Sequence, residues 1–207
     1  YDLWQGPAPQ RPFKDNLLHY NWHWHWHWGN GELGNNGIHA LDIARWGLAV
    51  DCPKSVTCAG GRYRFQDDQE TPDTTIATYD FGNKGAAWEG HSCDPRGFEG
   101  VGFGIQFYGP GGSLVIAGNE YMVYDENRDL VTEGRGPGGD AVHFGNFLDA
   151  IRGDGQLTAP IDDAQTSTML CHYGNMAYRS QSALAIDTTT GRIQDNPAAA
   201  HFWRRDY

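Results

Sequence analysis

The sequence lacks a long hydrophobic run and any strongly basic segment. No stretch approaches the roughly 18 consecutive apolar residues that a membrane-spanning helix needs, which predicts a soluble protein, cytoplasmic or exported. The longest run of basic residues is the pair Arg204-Arg205, and the formal net charge is −11. This balance argues against nucleic acids and anionic membranes as partners and favours neutral or polar small molecules.

The sequence also lacks paired cysteines, since no two of its four have the Cys-x-x-Cys spacing of zinc ribbons and redox pairs. The four are Cys52, Cys58, Cys93 and Cys171. With 207 residues, the chain is long enough to bury a core without covalent cross-links, so we expect one domain over residues 1–207. Buried free thiols are then the simplest interpretation, and one disulfide stays open if the protein is exported.

The first 28 residues contain two contrasting patterns. Prolines at positions 7, 9 and 12 predict an extended arm over residues 1–16. Residues 19–28, HYNWHWHWHW, alternate strictly, which predicts a Trp/His-rich strand with tryptophans on one face and histidines on the other. Residues 29–34 are rich in glycine and predict a flexible connection.

The remaining sequence predicts helices around a central sheet. A helix should begin at Asn35 or Asn36 and run to about Leu48, with two more near residues 144–151 and 161–179. Strands are predicted at residues 56–65, 74–81, 85–93, 102–108, 113–117 and 120–124, with turns at 82–85 and 109–112. The predicted fold class is therefore α+β: an open, largely antiparallel β-sheet with helices packed on one side.

His39 and Asp42 follow the glycine-rich connection at the start of the first long helix. A helix N-terminus exposes unpaired N–H groups, and a histidine in its first turn can face a ligand bound there. A helix cap with a packed histidine is the alternative interpretation. The acidic run at residues 67–70 predicts a solvated loop.

Each face of the Trp/His-rich strand supports two interpretations. His23, His25 and His27 would align on one face as candidate ligands of a divalent metal such as Zn²⁺, Cu²⁺ or Ni²⁺. The same face could instead contact substrate or another subunit. The tryptophan face offers flat surfaces on which sugars can stack, or it belongs to the core or to an oligomer interface.

Several segments together resemble the Gfo/Idh/MocA oxidoreductases, in particular a bacterial branch. They are YDLWQGPAP, HYNWHWHWHWGNGELGNNGIHALDIARWGL, DDQETPDTTIATYDF, NFLDAIRGDG and CHYGNMAYR. In that family an N-terminal Rossmann domain binds NAD(P), and a C-terminal α+β domain supplies substrate contacts and the oligomer interface. The chain resembles only the second of these domains. It lacks a strand-GxGxxG-helix unit, and the glycines at 100–104 have the wrong spacing for one.

The resemblance also suggests roles for individual residues. Asn35 and His39 correspond to the family's Asp-x-x-x-His pair, whose histidine lies near the reacting hydroxyl. Asn35 replaces the carboxylate, and an amide can orient a hydroxyl but cannot accept its proton. Regions around Asp2 and Trp4, and around Asp140 and His143, approach the cleft in similar proteins, although capping and packing could also explain them. The predicted substrate-binding residues are Asp2, Trp4, His23, His25, Asp42 and His143.

The resemblance therefore implies the substrate-binding half of an NAD(P)-dependent oxidoreductase that acts on a sugar, a polyol or a glycoside. NAD or NADP would bind in the complete enzyme, none is expected to bind this chain alone, and the chain would be a piece of a two-domain protein. A homo-oligomer formed through the sheet face is expected. The alternatives are an NAD-dependent glycoside hydrolase of the same fold and a cofactor-free module that binds sugar or metal.

Overall fold

The computed structural model describes residues 1–94 and 101–205, which form two compact units. The first unit comprises Tyr1–Asp94 and Thr166–Tyr207, and the second comprises Pro95–Gln165. Each unit contains its own sheet. None of the helices in the described ranges is long and apolar enough to cross a membrane. The prediction of a single domain, which concerns how the chain folds as a whole, stays a prediction.

The helices lie mainly at the two ends of the sequence. They are α1 (Asp2–Gln5), α2 (Gly31–Asn35), α3 (Gly37–Leu48), α4 (Asp140–Arg152), α5 (Ile161–Ser180) and α6 (Pro197–Ala200), with short 3₁₀ turns at Asn21–Trp24 and His201–Trp203. Helix α5 begins in the second unit and continues in the first. The predictions of α3, α4 and α5 are confirmed.

The sheet of the first unit has the strand order β3-β2-β1-β8-β9. Its strands are β1 (Ser55–Gly61), β2 (Thr74–Asp80), β3 (Gly85–His91), β8 (Leu184–Asp187) and β9 (Arg192–Gln194), and all neighbours are antiparallel. In β2, alternate residues are buried, as expected for a strand with one face on a core. Tyr79 is the largest of these, and its hydroxyl donates to the carbonyl oxygen of Leu170 in α5 at 3.1 Å.

The sheet of the second unit has the order β4-β5-β6-β7. Its strands are β4 (Ile105–Gly109), β5 (Gly112–Ala117), β6 (Glu120–Tyr124) and β7 (Leu130–Arg135), and their pairing is again antiparallel. No residue in the described part of this unit, 101–165, is fully buried. The core residues of the described chain therefore all belong to the first unit.

The predicted α+β class and antiparallel pairing are confirmed, with one difference in architecture. The strands form two sheets of five and four strands instead of one. Both predicted turns join hairpin strands, β2 to β3 and β4 to β5. Strands β7, β8 and β9 were not predicted.

The prediction of a Trp/His-rich strand is wrong. Residues 19–28 form a 3₁₀ turn followed by further turns, in which the amide of His25 donates to the carbonyl of Trp22 at 3.2 Å. The rings of Trp22 and His23 stack with centroids 3.9 Å apart, although a strand would point adjacent side chains to opposite faces. The amide of Gly29 closes the segment by donating to the carbonyl of His25 at 2.7 Å.

Glycine is required where this segment turns back on itself. A Cβ at position 29 would lie 2.3 Å from the backbone oxygen of His23, far inside van der Waals contact. The close approach of the two backbones lets the segment fold into turns despite its alternating sequence.

Two further predictions near the N-terminus need correction. The arm is not extended throughout, because Asp2–Gln5 form one helical turn ahead of the first proline at position 7. The glycine-rich connection contains helix α2, which begins at Gly31 with a φ of 71°. Glycine adopts such a positive φ without strain, so the chain can turn sharply into the helix.

Candidate functional site

His39 lies in the first turn of α3, as predicted. The helix begins after Asn36, whose side chain donates to Glu32 instead of capping the helix. The imidazole of His39 is exposed and makes no hydrogen bond with any described residue. It is therefore available to a ligand that approaches this end of the helix.

Asn35 ends α2 and is connected to the Trp/His segment, residues 19–28. Its side-chain amide donates to the hydroxyl of Tyr20 at 3.5 Å. The Tyr20 ring lies beside that of His23, with centroids 4.6 Å apart, and His23 in turn stacks on Trp22. A chain of contacts thus leads from the end of α2 into the Trp/His segment.

Asp42 takes part in a network that joins α3 to α5. Its carboxylate accepts a hydrogen bond from the hydroxyl of Ser167, which accepts one from Nε of the buried Arg45 at 2.8 Å. The Arg45 guanidinium also pairs with Asp51 at 2.8 Å. The structure thus gives Asp42 an intramolecular partner, and its predicted contact with substrate stays a prediction.

The three candidate metal ligands do not converge, so the metal prediction is corrected. His23 donates from Nδ1 to the carbonyl of Tyr20, and His27 donates from Nε2 to the carbonyl of Pro9 at 2.7 Å. His25 is buried, with Nδ1 3.9 Å from a carboxylate oxygen of Glu70. Within residues 1–94 and 101–205, no group of three or more histidine, cysteine, aspartate or glutamate side chains could hold a metal ion. The three histidines would align on one face only in a strand, and the segment forms turns instead.

The four cysteines are free thiols. Burial raises the pKa of Cys58 to about 11 and that of Cys171 to about 12. Both are therefore protonated at neutral pH; Cys171 is buried in the core, and the half-buried Cys58 packs against it.

Trp4 and Trp28 form two walls of a surface depression of about 340 Å³. Their ring centroids are 5.6 Å apart and their planes are inclined by 50°. The other lining residues are Gln5, Pro7, Ala8, Trp22, His27 and Arg205. The guanidinium of Arg205 donates to the carbonyl of His27. The predicted Trp4 thus contributes to a concave surface, whereas Asp2 is exposed and does not line it.

The acidic run at residues 67–70 is more than the solvated loop that was predicted. Glu70 pairs with Arg11 at 3.2 Å and accepts the amide of Trp26 at 2.8 Å. Asp68 pairs with Lys14 at 2.8 Å. The run therefore contacts both the N-terminal arm and the Trp/His segment. The sequence held one signal for this, because the arm carries two basic residues and the loop carries three acidic ones.

His143 belongs to the second unit, unlike the other predicted site residues. It is exposed in the first turn of α4 and lines an apolar groove of about 300 Å³. The groove is formed within its own unit, with Phe144, Phe147 and Leu157 among its lining residues. A role of His143 in substrate binding stays a prediction.

The described residues do not fit a dinucleotide. A Rossmann site needs parallel strands joined through a helix whose N-terminus receives the pyrophosphate. Every strand pair that the structure describes is antiparallel. The glycines at 100–104 lie partly outside the described residues, and those described precede β4 without opening a helix.

The sequence and the fold were compared with known proteins. Residues 5–115 match the profile of the GFO/IDH/MocA C-terminal domain. A search of curated proteins gave no match.

Solved structures with a similar fold include three oxidoreductases. A protein assigned as an NADPH-dependent oxidoreductase from Desulfitobacterium hafniense has a TM-score of 0.63 and 16% identity, covering 80% of this chain and 51% of its own. The WlbA dehydrogenase from Bordetella pertussis, in complex with NADH and UDP-GlcNAcA, has a TM-score of 0.56 and 13% identity. The match covers 86% of this chain and 51% of that structure. A protein assigned as a myo-inositol dehydrogenase from Sinorhizobium meliloti has a TM-score of 0.55 and 16% identity. The match covers 76% of this chain and 51% of that structure. The chain thus spans about half the length of these structures, and at such identities the likeness concerns the fold alone.

Proposed function

The chain belongs to the GFO/IDH/MocA family, and we propose that it is the substrate-binding half of an NAD(P)-dependent oxidoreductase that acts on a sugar, a polyol or a glycoside. The observation that carries the proposal is the position of His39 in the first turn of α3, within the matched residues, where its exposed imidazole makes no hydrogen bond with any described residue. Two structures with the same fold support the ligand class, since one is described with NADH and UDP-GlcNAcA and the other is assigned to myo-inositol.

In this proposal, His39 exchanges a proton with the hydroxyl of the substrate. Histidine can both accept and donate a proton near neutral pH, and an exposed ring can approach a bound hydroxyl directly. Asn35, which bonds to Tyr20 beside the same helix end, orients that hydroxyl. The amide does not accept the proton, so His39 is the only base of this pair.

The nicotinamide nucleotide would provide hydride transfer in the complete enzyme. Since the described residues do not fit a dinucleotide, a different part of the complete enzyme would hold it. The role of this chain is therefore to bind the substrate, to orient its hydroxyl and to move one proton.

We also propose that the sheet of the second unit contacts a second copy of the chain. Its strands leave large apolar side chains exposed, among them Tyr108 in β4 and Leu130 and Val131 in β7. Exposed apolar surface of this kind is typical of surfaces that meet another protein.

The catalytic role is tested with His39→Ala in the complete enzyme. Reduction of NAD and NADP is followed by absorbance with myo-inositol, D-glucose and methyl β-D-glucopyranoside as substrates. Turnover should fall about 10²- to 10⁴-fold, since this is what a general acid or base contributes. His91→Ala, which removes an exposed histidine paired with Glu89, is the matched control and should keep full turnover.

Unchanged turnover in His39→Ala would reject the assignment. Nitrophenyl glycosides extend the assay to the hydrolytic alternative. Nitrophenol released in the presence of NAD, without accumulating NADH, would assign glycoside hydrolysis in place of net oxidation.

A further inference from the structure

The depression beside the N-terminal arm has aromatic walls that suit the ring of a sugar. Trp4 is 39% exposed, and its indole meets that of Trp28 at an angle, so that the two form a corner. Trp22 lines the same depression. The C–H faces of pyranoses are apolar and pack against flat aromatic rings, whereas their edges carry hydroxyls.

The corner is built before any ligand arrives. Gln5 is buried, and its side-chain oxygen accepts the amide of Arg11 at 2.7 Å, which fixes the turn between α1 and the rest of the arm. Arg11 pairs with Glu70, and its guanidinium lies 5.7 Å from the centre of the Trp28 ring. Tyr1 stacks on Trp4 with centroids 5.8 Å apart. A ligand therefore meets ordered walls and loses little free energy in ordering them.

The polar groups of the depression suit hydroxyls. His27 and Arg205 line it, and an imidazole and a guanidinium can both form hydrogen bonds with hydroxyls. The depression holds about 340 Å³, near the lower end of ligand pockets, which corresponds to one ring instead of a longer oligosaccharide.

Of the two arginines beside the depression, one is neutralised by an ion pair. Arg11 is paired with Glu70, and Arg205 already donates to the carbonyl of His27. The chain as a whole carries a net charge of −11, which repels anions at a distance.

We propose that this depression binds one neutral pyranose ring that does not react, so that the substrate is a glycoside with one ring here and its reacting hydroxyl at His39. The choice of a glycoside among the proposed substrates rests on the proposed function. The binding of a pyranose in the depression does not depend on it.

Saturation-transfer NMR on this 207-residue chain tests the subsite, with the methyl pyranosides of glucose, galactose, mannose and N-acetylglucosamine as probes. At least one should receive saturation on the C–H protons of its ring. Trp4→Ala should weaken its binding about 3- to 10-fold, the loss expected for one aromatic stacking contact. Trp4→Tyr, which keeps a flat ring, should retain most of the affinity.

The matched control is Trp46→Ala, because Trp46 is 77% exposed on α3 and does not line the depression. It should bind the probe like the unmodified chain. The proposal is overturned if none of the four methyl pyranosides receives saturation, or if Trp4→Ala and Trp46→Ala bind the probe equally.

The subsite and the catalytic proposal can fail separately. His39→Ala should leave binding of the methyl pyranoside unchanged while turnover of the complete enzyme falls. Trp4→Ala should raise KM for a glycoside and leave kcat unchanged. Full turnover in His39→Ala would reject the catalytic role only, and an unchanged KM in Trp4→Ala would reject the subsite only.

Discussion

The two units have similar secondary structure but differ in how they bury it. Each has an antiparallel sheet and helical segments. The first unit encloses a core in which Val56, Tyr79 and Leu184 are almost completely shielded from solvent. In the second unit, the large side chains of α4, Phe144 and Phe147 among them, stay exposed. The first unit therefore has a buried core, and no residue in the described part of the second unit is buried to that extent.

The unit with the buried core is also the unit that contains the candidate substrate site. His39, Asn35 and the tryptophan depression all lie in the first unit, which is the unit with the buried core. A site that must hold a substrate in one geometry benefits from a rigid support. The second unit offers apolar surface, which suits contact with another protein.

Spectroscopy can follow the unfolding of the first unit separately from that of the whole chain. All eight tryptophans lie in the first unit, so tryptophan fluorescence reports on that unit alone. Circular dichroism in the far ultraviolet reports on both units. Unfolding curves that coincide by the two methods would mean that the units unfold together.

A pair of leucine truncations should give the largest difference between the units. Leu170→Ala removes a side chain that is 2% exposed in α5 and should lower the free energy of unfolding by about 2–5 kcal/mol. Leu148→Ala makes the same change in α4, where the side chain is 46% exposed, and should cost less than about 1 kcal/mol. Urea unfolding followed by both methods measures the two values. Equal losses would contradict the difference in burial.

One aspartate in each unit allows the effect of burial on stability to be compared for charged side chains as well. Burial alone would raise the pKa of Asp73, but the backbone amides of Tyr63 and Arg64 and the hydroxyl of Thr74 donate to the carboxylate, and its pKa lies below the ordinary value. Asp125, in the second unit, also accepts backbone amides but is only half-buried.

Asp73→Asn should therefore cost on the order of 1–3 kcal/mol at neutral pH, and Asp125→Asn clearly less. Because the folded-state pKa of Asp73 is lowered, its stabilisation is fully present above about pH 4 and is lost as the pH falls through the folded-state value. The stability of Asp73→Asn should accordingly decline less between neutral and acidic pH than that of the unmodified chain. Urea unfolding at several pH values measures the free energy of unfolding of both proteins. If it falls equally in both as the pH is lowered, Asp73 does not cause the loss of stability in acid.

Much of the fold could be predicted from periodicity and turn residues. Six strands and the three long helices follow from such patterns, as does the placement of His39 at the start of α3. Strands β8 and β9 escaped prediction because four and three residues are too few to show a period. Strand β7, with the sequence LVTEGR, has hardly any alternation because most of its residues are exposed.

The Trp/His segment shows why alternation alone can mislead. Its period of two is that of a strand, yet the stacking of Trp22 on His23 and the close packing of Gly29 against His23 stabilise turns. Such contacts depend on three-dimensional packing. For the same reason, the bond between Asp42 and Ser167, which are 125 positions apart in the sequence, could not be predicted from either residue.

Exposed ion pairs should contribute least to the free energy of unfolding, and their contributions should be similar in the two units. Lys14 and Asp68 form one such pair in the first unit, and Arg152 and Asp149 form another in the second. Double-mutant cycles with alanine should give coupling energies of about 0.2–1 kcal/mol for each, decreasing with added salt, because solvent screens both pairs. A coupling clearly above that range for Lys14 and Asp68 alone would show that the arm is held by charge as well as by the buried Gln5. The difference between the units would then extend beyond their cores.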